Sequence, residues 1–554
     1  MSPKPSKMMK TRKIYIAIGW LLFLSTGVSA QKKRDSLQSQ TVTVTRSYTP
    51  LVPDADKIEV NAPSTSIVDF DKRPVSYKPL KLEAVSTFTA EKAKSRRPSI
   101  HLKHYEGKAG FVELFLGNMK AIDATAHYGY RFPSYWIAGG NFSYRGLGEA
   151  QADSLTLIPF SDLNLTAFAR KSSDLAKWRF SVNYARTGST YRDTLTPEVK
   201  SAETFGIHRI GLSAGAGFNR TVFKNSRLNY VFLTHNRLSE HNLHWKMHNL
   251  FPVAGFNIQL KSGIDLISGN PGIDSLAYTN FLALMAPSFK LDRERFHFML
   301  GFKLFYQNRD DINDRILFYP DISMDYNMVY ELLTLYITYE GAIYTRSYRD
   351  LLETNRYLFS GYSLIPTSVP FHFSGGFRGQ IGTRVMYDLK LGVAKEKNMP
   401  LFYEKNSSKG LGFGLVYDDM DYYYFKTVLG YVLPERFETK MFFEYYQYSP
   451  ATQAKAWNLP DYKLSWLMRF NAGKFYWENE LYYVGPRYDK LNLAGNNLKS
   501  DGFVSANLQL GYRAGKDLNV YLRGNNLLNQ KYFIYTGYPV HGLHIMAGVY
   551  YGFQ

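Results

Sequence analysis

The chain has 554 residues, no cysteine and a formal net charge of +20. Without cysteine it can form neither disulfides nor cysteine–zinc sites, and thiolate catalysis is excluded. Its mean hydropathy is −0.29, and no apolar stretch is long enough for a comfortable transmembrane helix. The composition therefore excludes a helical membrane protein, while a membrane protein built from strands stays compatible with it.

A secretory signal peptide is predicted at residues 1–30. Basic residues precede an apolar run over 14–28, and small residues then lead to a cleavage site between Ala30 and Gln31. No cysteine follows this site, so we expect no lipoprotein anchor. Cleavage would leave the mature chain near +15. Because Lys and Arg are scattered along the chain, we predict no nucleic-acid partner. We assign these residues to the rims and the lumen of a barrel, where they meet anionic lipid head groups and solutes.

Residues 31–107 differ in composition from the remainder of the chain, because six prolines punctuate a segment rich in Ser, Thr, Lys and Asp. This composition predicts an extended periplasmic or lumenal segment with little core of its own. A short β-prone run within it can add as a strand to the sheet edge of a partner. The alternatives are a strand that pairs inside this protein and a disordered tail. The run consists of Thr41, Val42, Thr43, Val44 and Thr45.

From residue 108 to residue 554 the apolar and polar residues alternate with period two, which indicates strands. In one such run the pattern places Leu508 towards lipid and Asn507 towards the interior. Short turn signals separate the runs on one side, and longer polar links separate them on the other. We place these links at about 146–160, 188–206, 346–368, 398–409 and 486–502. This layout is typical of an all-β fold, the transmembrane antiparallel β-barrel of the outer membrane.

Counting the candidate strands gives about 23, whereas single-chain bacterial barrels close with an even number. The boundaries are least clear over 398–425, where glycines and a run of three tyrosines follow one another. We predict about 22 strands, with a range of roughly 18 to 24.

The end of the chain resembles the C terminus of TonB-dependent receptors. The matching residues are Asn526, Leu527, Asn529, Tyr532, Gly542 and Phe553. Two positions depart from the family pattern: Leu543 stands where the family has Arg, and Gln554 follows the usual terminal Phe. The resemblance implies a 22-stranded outer-membrane barrel, a final strand recognised for membrane insertion, and a Ton box at 41–45 that contacts an energising periplasmic or inner-membrane partner.

The family also places a globular plug domain between the Ton box and the barrel. Only about sixty Pro-rich residues separate Thr45 from the first predicted strand, so we expect a full plug to be absent or reduced. Two functions are then open to a barrel in the outer membrane of a Gram-negative bacterium. The first is transport of a solute across that membrane, and the second is a structural or accessory subunit that docks other outer-membrane subunits. The sequence supports a barrel enzyme least.

Candidate chemical motifs have ordinary structural explanations. The string at 211–215 matches the G-x-S-x-G of serine hydrolases, but its alternation predicts a strand and not the required strand-to-helix elbow. His241, His244 and His248 form a cluster, yet in a strand the last two share a face about 13 Å apart, too far to share one metal. We predict no catalytic residue, metal site or cofactor. The inward-facing residues show no aromatic track or single-sign ring, so the sequence names no solute.

Overall fold

In the computed structural model, 22 antiparallel strands form one closed sheet, because the last strand pairs with the first as well as with its predecessor. The predicted β-barrel and its strand number are confirmed. No helix in the described part of the chain is long and apolar enough to cross a membrane. The structure describes residues 109–148, 150–152, 155–192, 203–253, 256–272, 276–309, 312–490 and 497–553.

The barrel strands follow the chain in simple up-and-down order. They are β1 (Gly110–Gly117), β2 (Ala121–Arg131), β3 (Trp136–Leu147), β4 (Phe160–Ser172), β5 (Ala176–Thr190), β6 (Thr204–Phe218), β7 (Phe223–His235), β8 (Leu238–Val253), β9 (Phe256–Asn270), β10 (Tyr278–Asp292), β11 (Phe296–Arg309), β12 (Ile312–Val329), β13 (Leu333–Tyr344), β14 (Thr367–Ile381), β15 (Val385–Ser407), β16 (Gly410–Leu433), β17 (Phe437–Pro450), β18 (Tyr462–Ala472), β19 (Phe475–Val484), β20 (Phe503–Arg513), β21 (Leu518–Asn525) and β22 (His544–Phe553). Three short hairpins and one helix, α1 (Tyr348–Thr354), lie in the connections.

The outer face of the barrel carries the apolar half of each alternation. In β1, for example, Val112 and Leu116 are exposed on this face, whereas Phe115 points inward and is buried. Aromatic residues extend the apolar face towards both rims, as Trp178 does near one rim and Tyr445 near the other. An apolar outer band with aromatic residues at its borders is the surface that lies in lipid.

The two rims differ in the length of their connections. At one rim the turns are short throughout, such as 132–135 and 473–474. The other rim carries all the long connections: 148–159, 191–203, 345–366, 451–461, 485–502 and 526–543. Short turns face the periplasm and long loops face outside in barrels of this kind. The first strand therefore starts at Gly110, and the last strand ends at Phe553, on the periplasmic rim.

The predicted link at 398–409 is wrong. Residues 398–407 continue β15, and they pair with the start of β16 to form the longest hairpin of the barrel. The register shifts between Glu396 and Met399, and Asn398 adopts φ 56°. A bulge adds a residue to one strand and so interrupts its alternation, which is why the sequence pattern suggested a loop here.

Leu508 faces outward and Asn507 faces inward, as the alternation predicts. Asn507, however, is 8% exposed. Its amide donates to Glu480 Oε2 at 3.2 Å and its oxygen accepts the Asn526 N–H at 3.0 Å. An arginine at 507 would break these buried contacts, so the two faces need to be compared at another pair of positions.

Ile322 and Ser323 are neighbours in β12 and offer that pair. Ile322 lies opposite Leu300 and Tyr339 on the outer face, whereas Ser323 lies opposite Met299 and Thr338 on the inner face. We expect Ile322→Arg, like Leu508→Arg, to destabilise the barrel by about 2–4 kcal/mol because it places a charge in lipid, and Ser323→Arg to cost much less. Urea titration of refolded barrels in vesicles measures both, and equal losses would contradict the assigned register.

Candidate functional site

The outer mouth of the lumen is closed by connections that fold inward. We call two of them the lid: residues 345–366, which contain α1, and the hairpin of Phe533–Tyr535 and Tyr538–Pro539. Helix α1 begins after Ser347, whose hydroxyl accepts the Asp350 N–H at 3.1 Å, as an N-cap residue does. Its buried face carries Tyr348, Leu351 and Leu352.

The lid packs into one apolar cluster with residues at the outer rim of the barrel. Part of the cluster comes from the outer ends of β6–β8 and from Tyr191 after β5. Another part comes from the β15–β16 hairpin, beyond the residues that pair with β14 and β17. In a ring of 22 strands, β15 and β16 lie nearly opposite β5–β8. The cluster therefore bridges the mouth from side to side. Its buried members are Ile158, Tyr191, Phe205, Ile207, Leu233, Leu238, Tyr348, Leu351, Leu352, Leu358, Phe359, Leu364, Phe402, Leu411, Phe413, Leu415, Tyr535 and Tyr538.

Aromatic rings form the continuous part of this bridge. The ring of Tyr191 lies 4.5 Å from that of Phe205 and 5.1 Å from that of Phe359, measured between centroids. Tyr357 and Tyr538 stack at 3.6 Å. Such pairs contribute about 0.5–1.5 kcal/mol each beyond their burial. Burial raises the pKa of the Tyr191 phenol above its usual value, which keeps this side chain neutral inside the cluster.

Main-chain hydrogen bonds hold the lid to the β15–β16 hairpin. The Phe359 N–H donates to the Phe413 carbonyl at 2.9 Å, and the Phe413 N–H donates to the Tyr357 carbonyl at 3.0 Å. The tip of the hairpin also reaches the connection after β5, where the Leu411 N–H donates to the Arg192 carbonyl at 2.7 Å. Because these backbone groups hydrogen-bond to one another, the lid can be buried without leaving them unsatisfied.

Glu240 of β8 anchors the lid to the wall. Its side chain is fully buried, and its carboxylate accepts the N–H groups of Tyr348 at 2.7 Å and Arg349 at 3.2 Å. It also accepts the Tyr278 hydroxyl at 2.5 Å and the Asn242 amide at 2.8 Å. Four donors converge on this buried carboxyl group, so both of its oxygens are hydrogen-bonded inside the apolar cluster.

A glycine makes room for this anchor. Gly269 lies in β9 between Glu240 and Tyr278 in the strand pairing. A Cβ atom at this position would lie 2.7 Å from the Tyr278 hydroxyl and 2.8 Å from the Ser239 carbonyl. No side chain fits there without moving the phenol that donates to Glu240.

Polar contacts at the edge of the lid are more exposed. Arg209 of β6 forms an ion pair with Glu353 of α1, and Lys409 pairs with Glu203 at 3.3 Å. Exposed pairs of this kind contribute at most about 1 kcal/mol each. The apolar cluster and the Glu240 anchor therefore dominate the stability of the closed lid.

The residues of the C-terminal sequence signature shape the last connection. Asn526 and Asn529 adopt φ 47° and 48°, a conformation that asparagine tolerates. The Asn526 amide donates to the carbonyls of Gln530 and His541, and Asn529 Oδ1 accepts the Leu543 N–H at 2.9 Å. This turn directs the hairpin at 533–539 towards the lid.

Three further signature residues support the same turn. Tyr532 stacks on Phe503 at 3.7 Å, and a Cβ at Gly542 would lie 2.6 Å from Asn529 Oδ1. Leu527 donates its N–H to the Ala506 carbonyl. The contacts of Leu543 to Asn529 and Asn118 use its main chain alone, so this turn does not require the arginine of the family pattern.

The other sequence candidates lie elsewhere. Ala30, Gln31 and the run at 41–45 are outside the described residues. Residues 211–215 lie within β6, where the Ser213 hydroxyl donates to Asn229 at 2.7 Å, so the strand interpretation is confirmed. His244 contacts Asp265 at 2.6 Å. In the described ranges no three His, Asp or Glu side chains are grouped so that they could hold a metal.

The lid was not predicted from the sequence. Its apolar residues are dispersed over several connections, and each connection is mostly polar. The available signal was the cluster of apolar residues within the link around 346–368, such as Leu351, Leu352 and Phe359. A hydrophobic group inside a predicted exposed loop indicates that the loop is covered.

Known structures share this architecture. The chain aligns with the copper transporter OprC at a TM-score of 0.62 and 12% identity, covering 81% of this chain and 83% of that one. The siderophore receptor PirA of Acinetobacter baumannii aligns at 0.61 and 10% identity, covering 82% and 81% of the two chains. The FrpB iron transporter of Neisseria meningitidis aligns at 0.64 and 9% identity, covering 81% and 82%.

No family model matches the sequence, and no curated protein matches it. The aligned structures are TonB-dependent receptors. The barrel fold expected from the C-terminal residues is thereby confirmed, at identities that show a shared fold alone.

Proposed function

We propose that this protein, which has the barrel fold of TonB-dependent receptors, imports a solute across the outer membrane. The observation that carries the proposal is the closed lid. A 22-stranded barrel has a wide lumen, and here the described connections of the outer rim cover its mouth through a cluster that joins opposite sides of the rim. A purely structural subunit has no need of such a cover. The structural neighbours are named as transporters and receptors, which also favours import over an accessory role or an enzyme.

Import requires the lid to open. Its two segments are tethered at both ends to the barrel rim and contact the wall through side chains and a few main-chain bonds. They can therefore move outward as connections while the closed sheet keeps its hydrogen bonds. The lid is then in equilibrium between an open and a closed state. A solute that binds at the outer surface shifts this equilibrium only by the difference between its affinities for the two states.

The energising partner acts from the periplasmic side. Both ends of the described barrel, Gly110 and Phe553, lie at the periplasmic rim, so the segment that precedes β1 joins the barrel there. A run of β-branched residues at 41–45 is suited to strand addition, in which main-chain hydrogen bonds provide the affinity and the partner reads alternate side chains.

Val42→Pro tests this proposal. Proline removes one main-chain donor and restricts the backbone, so strand addition at 41–45 should weaken and solute uptake by cells should fall at least about tenfold. Barrel abundance and heat-modifiable mobility on gels should stay normal. Val60→Pro, outside the run, is the matched control and should leave uptake unchanged.

An accessory role gives the opposite result. In that case Val42→Pro leaves uptake intact, and deletion of 46–107 releases outer-membrane proteins that co-purify with the wild type. Uptake and co-purification measured side by side on both variants separate the two functions.

A further inference from the structure

The lipid-facing side of the barrel carries a recess at the outer rim, where β2–β6 meet their connections. Its volume is about 360 Å³, which lies within the range of small-molecule sites. Lys120, in the turn between β1 and β2, borders it. The outward-facing residues that line it are Ile122, Tyr144, Gly146, Ser161, Arg186, Gly188 and Thr204. We call this feature the rim recess.

The back of the rim recess is a part of the sheet without large side chains. Gly146 of β3 lies opposite Ser161 of β4, and Ser161 lies opposite Gly188 of β5. Gly188 in turn lies opposite Gly206 of β6. Because these positions follow one another across four neighbouring strands, a flat group can lie directly against the main chain there.

Two polar side chains enter the recess from the side of the membrane. Tyr144 and Arg186 lie two residues closer to the membrane centre than Gly146 and Gly188. A Cβ atom at Gly146 would lie 2.6 Å from the Tyr144 hydroxyl, and one at Gly188 would lie 3.4 Å from Arg186 Nη1. Both side chains therefore turn towards the outer rim and place their polar ends over the glycines. Long side chains in a membrane extend in this way to bring a polar end to the interface.

The position of Arg186 along β5 places the recess at the level of lipid head groups. Arg186 lies eight residues after Trp178 and shares its outward face. With a rise of about 3.3 Å per residue and a tilt of about 40°, Gly188 lies roughly 25 Å above Trp178 along the membrane normal. The apolar band of such barrels is about as tall. Trp178 thus marks the periplasmic border of the band, and the Arg186 guanidinium marks its outer border.

The surface between the recess and the membrane centre is apolar. Phe142 of β3 and Leu165 of β4 lie opposite each other on the outer face, and both are exposed. Ile210 of β6 continues this exposed surface. A molecule that occupies the recess and extends towards the membrane centre therefore meets side chains that favour acyl chains over water.

The recess itself favours an anion. Arg186 and Lys120 are both exposed there. Arg186 Nη1 donates to the Ser161 hydroxyl at 3.5 Å, a long contact that uses one of the five N–H groups of a guanidinium. A guanidinium binds phosphate in a bidentate manner. A charge on the lipid-facing surface is costly at mid-depth but nearly neutral at the interface, so Arg186 can be kept at this level.

We propose that the rim recess binds a phosphorylated lipid of the outer leaflet. Its phosphate contacts Arg186 and Lys120, and its acyl chains lie against Phe142, Leu165 and Ile210. The volume leaves room for a sugar or glycerol unit beside the phosphate. The continuity of the recess with the lipid-facing surface identifies the ligand as a lipid, because a soluble anion would use the bases and not the apolar surface. This site does not depend on the proposed import function.

Native mass spectrometry of the full-length protein, purified in detergent and freed of lipid, tests this site. The probes are diphosphoryl lipid A, the same lipid without its phosphates, and inorganic phosphate. We expect one molecule of the phosphorylated lipid per barrel, bound at least about 10-fold more tightly than the phosphate-free form, because a hydrogen bond to a charged group is worth about that much. Inorganic phosphate should not compete.

Three variants locate the site. Arg186→Gln removes the charge and should weaken binding of the phosphorylated lipid at least about 10-fold. Gly188→Leu fills the recess without changing any charge and should weaken binding as well. Lys171→Gln is the control, because Lys171 is an outward-facing base of β4 at the periplasmic rim, 5.9 Å from the Trp136 ring. It should bind the lipid like the wild type.

Heat-modifiable mobility on gels shows that each variant has formed its barrel. If Gly188→Leu does not assemble, the comparison of Arg186→Gln with Lys171→Gln still decides the question. The proposal is overturned if the wild type retains both forms of the lipid equally, or if inorganic phosphate displaces the lipid. Equal losses in Arg186→Gln and Lys171→Gln would also overturn it, since the lipid would then respond to basic charge anywhere on the outer face.

Discussion

Deletion of residues 543–554 is expected to abolish the barrel. It removes β22, which closes the sheet by pairing with β1 over Gly110–Gly117 and with β21 over Leu518–Asn525. Two strand edges would then face hydrocarbon with unsatisfied main-chain groups, and each such group costs several kcal/mol. The truncated chain should accumulate in the periplasm and be degraded by added protease, which cell fractionation measures.

A point variant separates the role of β22 in closing the sheet from its role in recognition by the insertion machinery. Phe553 lies opposite Gly110 at the periplasmic end of the seam, and Phe553→Ala preserves the main-chain pairs. If the terminal aromatic is read by the insertion machinery, as the family resemblance implies, the variant should be depleted from the outer membrane although it can fold in detergent. Removal of Gln554 alone is the control and should have no effect. Normal insertion of the 543–554 deletion would reject the role of β22.

Glu240→Ala is expected to release the lid. The substitution leaves the Tyr348 and Arg349 N–H groups and the Tyr278 hydroxyl without their acceptor. Each such buried donor costs about 1–3 kcal/mol, so the closed lid loses several kcal/mol in all. Amide hydrogen exchange in 345–366 should accelerate by about 100-fold or more. Single-channel conductance in planar bilayers measures in addition whether the opened mouth admits ions.

The control for this variant is Glu353→Gln. It removes the exposed ion pair between α1 and Arg209, which contributes at most about 1 kcal/mol, and it should barely change exchange in the lid. Exchange in 345–366 that responds equally to both substitutions would mean that Glu240 is no anchor. Exchange elsewhere in the barrel serves as the internal reference, since the sheet itself should stay intact.

Local pattern was enough to predict some features of the molecule. Alternation with period two places Val112 and Leu508 outward and Phe115 and Asn507 inward, because successive side chains of a strand point to opposite faces. The even closure of bacterial barrels then led from about 23 candidate strands to 22. The alternation failed at the bulge beside Asn398, where one inserted residue exchanges the two faces.

Other features arise between residues far apart in the chain. Glu240 meets Tyr348 across more than one hundred residues, and Tyr191 reaches Phe359 across the mouth. The alternation of apolar and polar residues within a strand does not encode such contacts, because they depend on the position that each connection takes once the sheet has closed. The apolar residues of the loops look unremarkable until that packing brings them together.

The sequence by itself determined that the chain is a barrel in a membrane and which face of each strand meets lipid, since both depend on alternation within single strands. The tertiary structure alone decided which side chains meet on the inner wall. Lys303, Asp321 and Glu340 meet inside the barrel only through the register of three neighbouring strands. Register is set by hydrogen bonding and closure of the whole sheet, and a slip of two residues in any one of these strands would keep every alternation and still separate these charges.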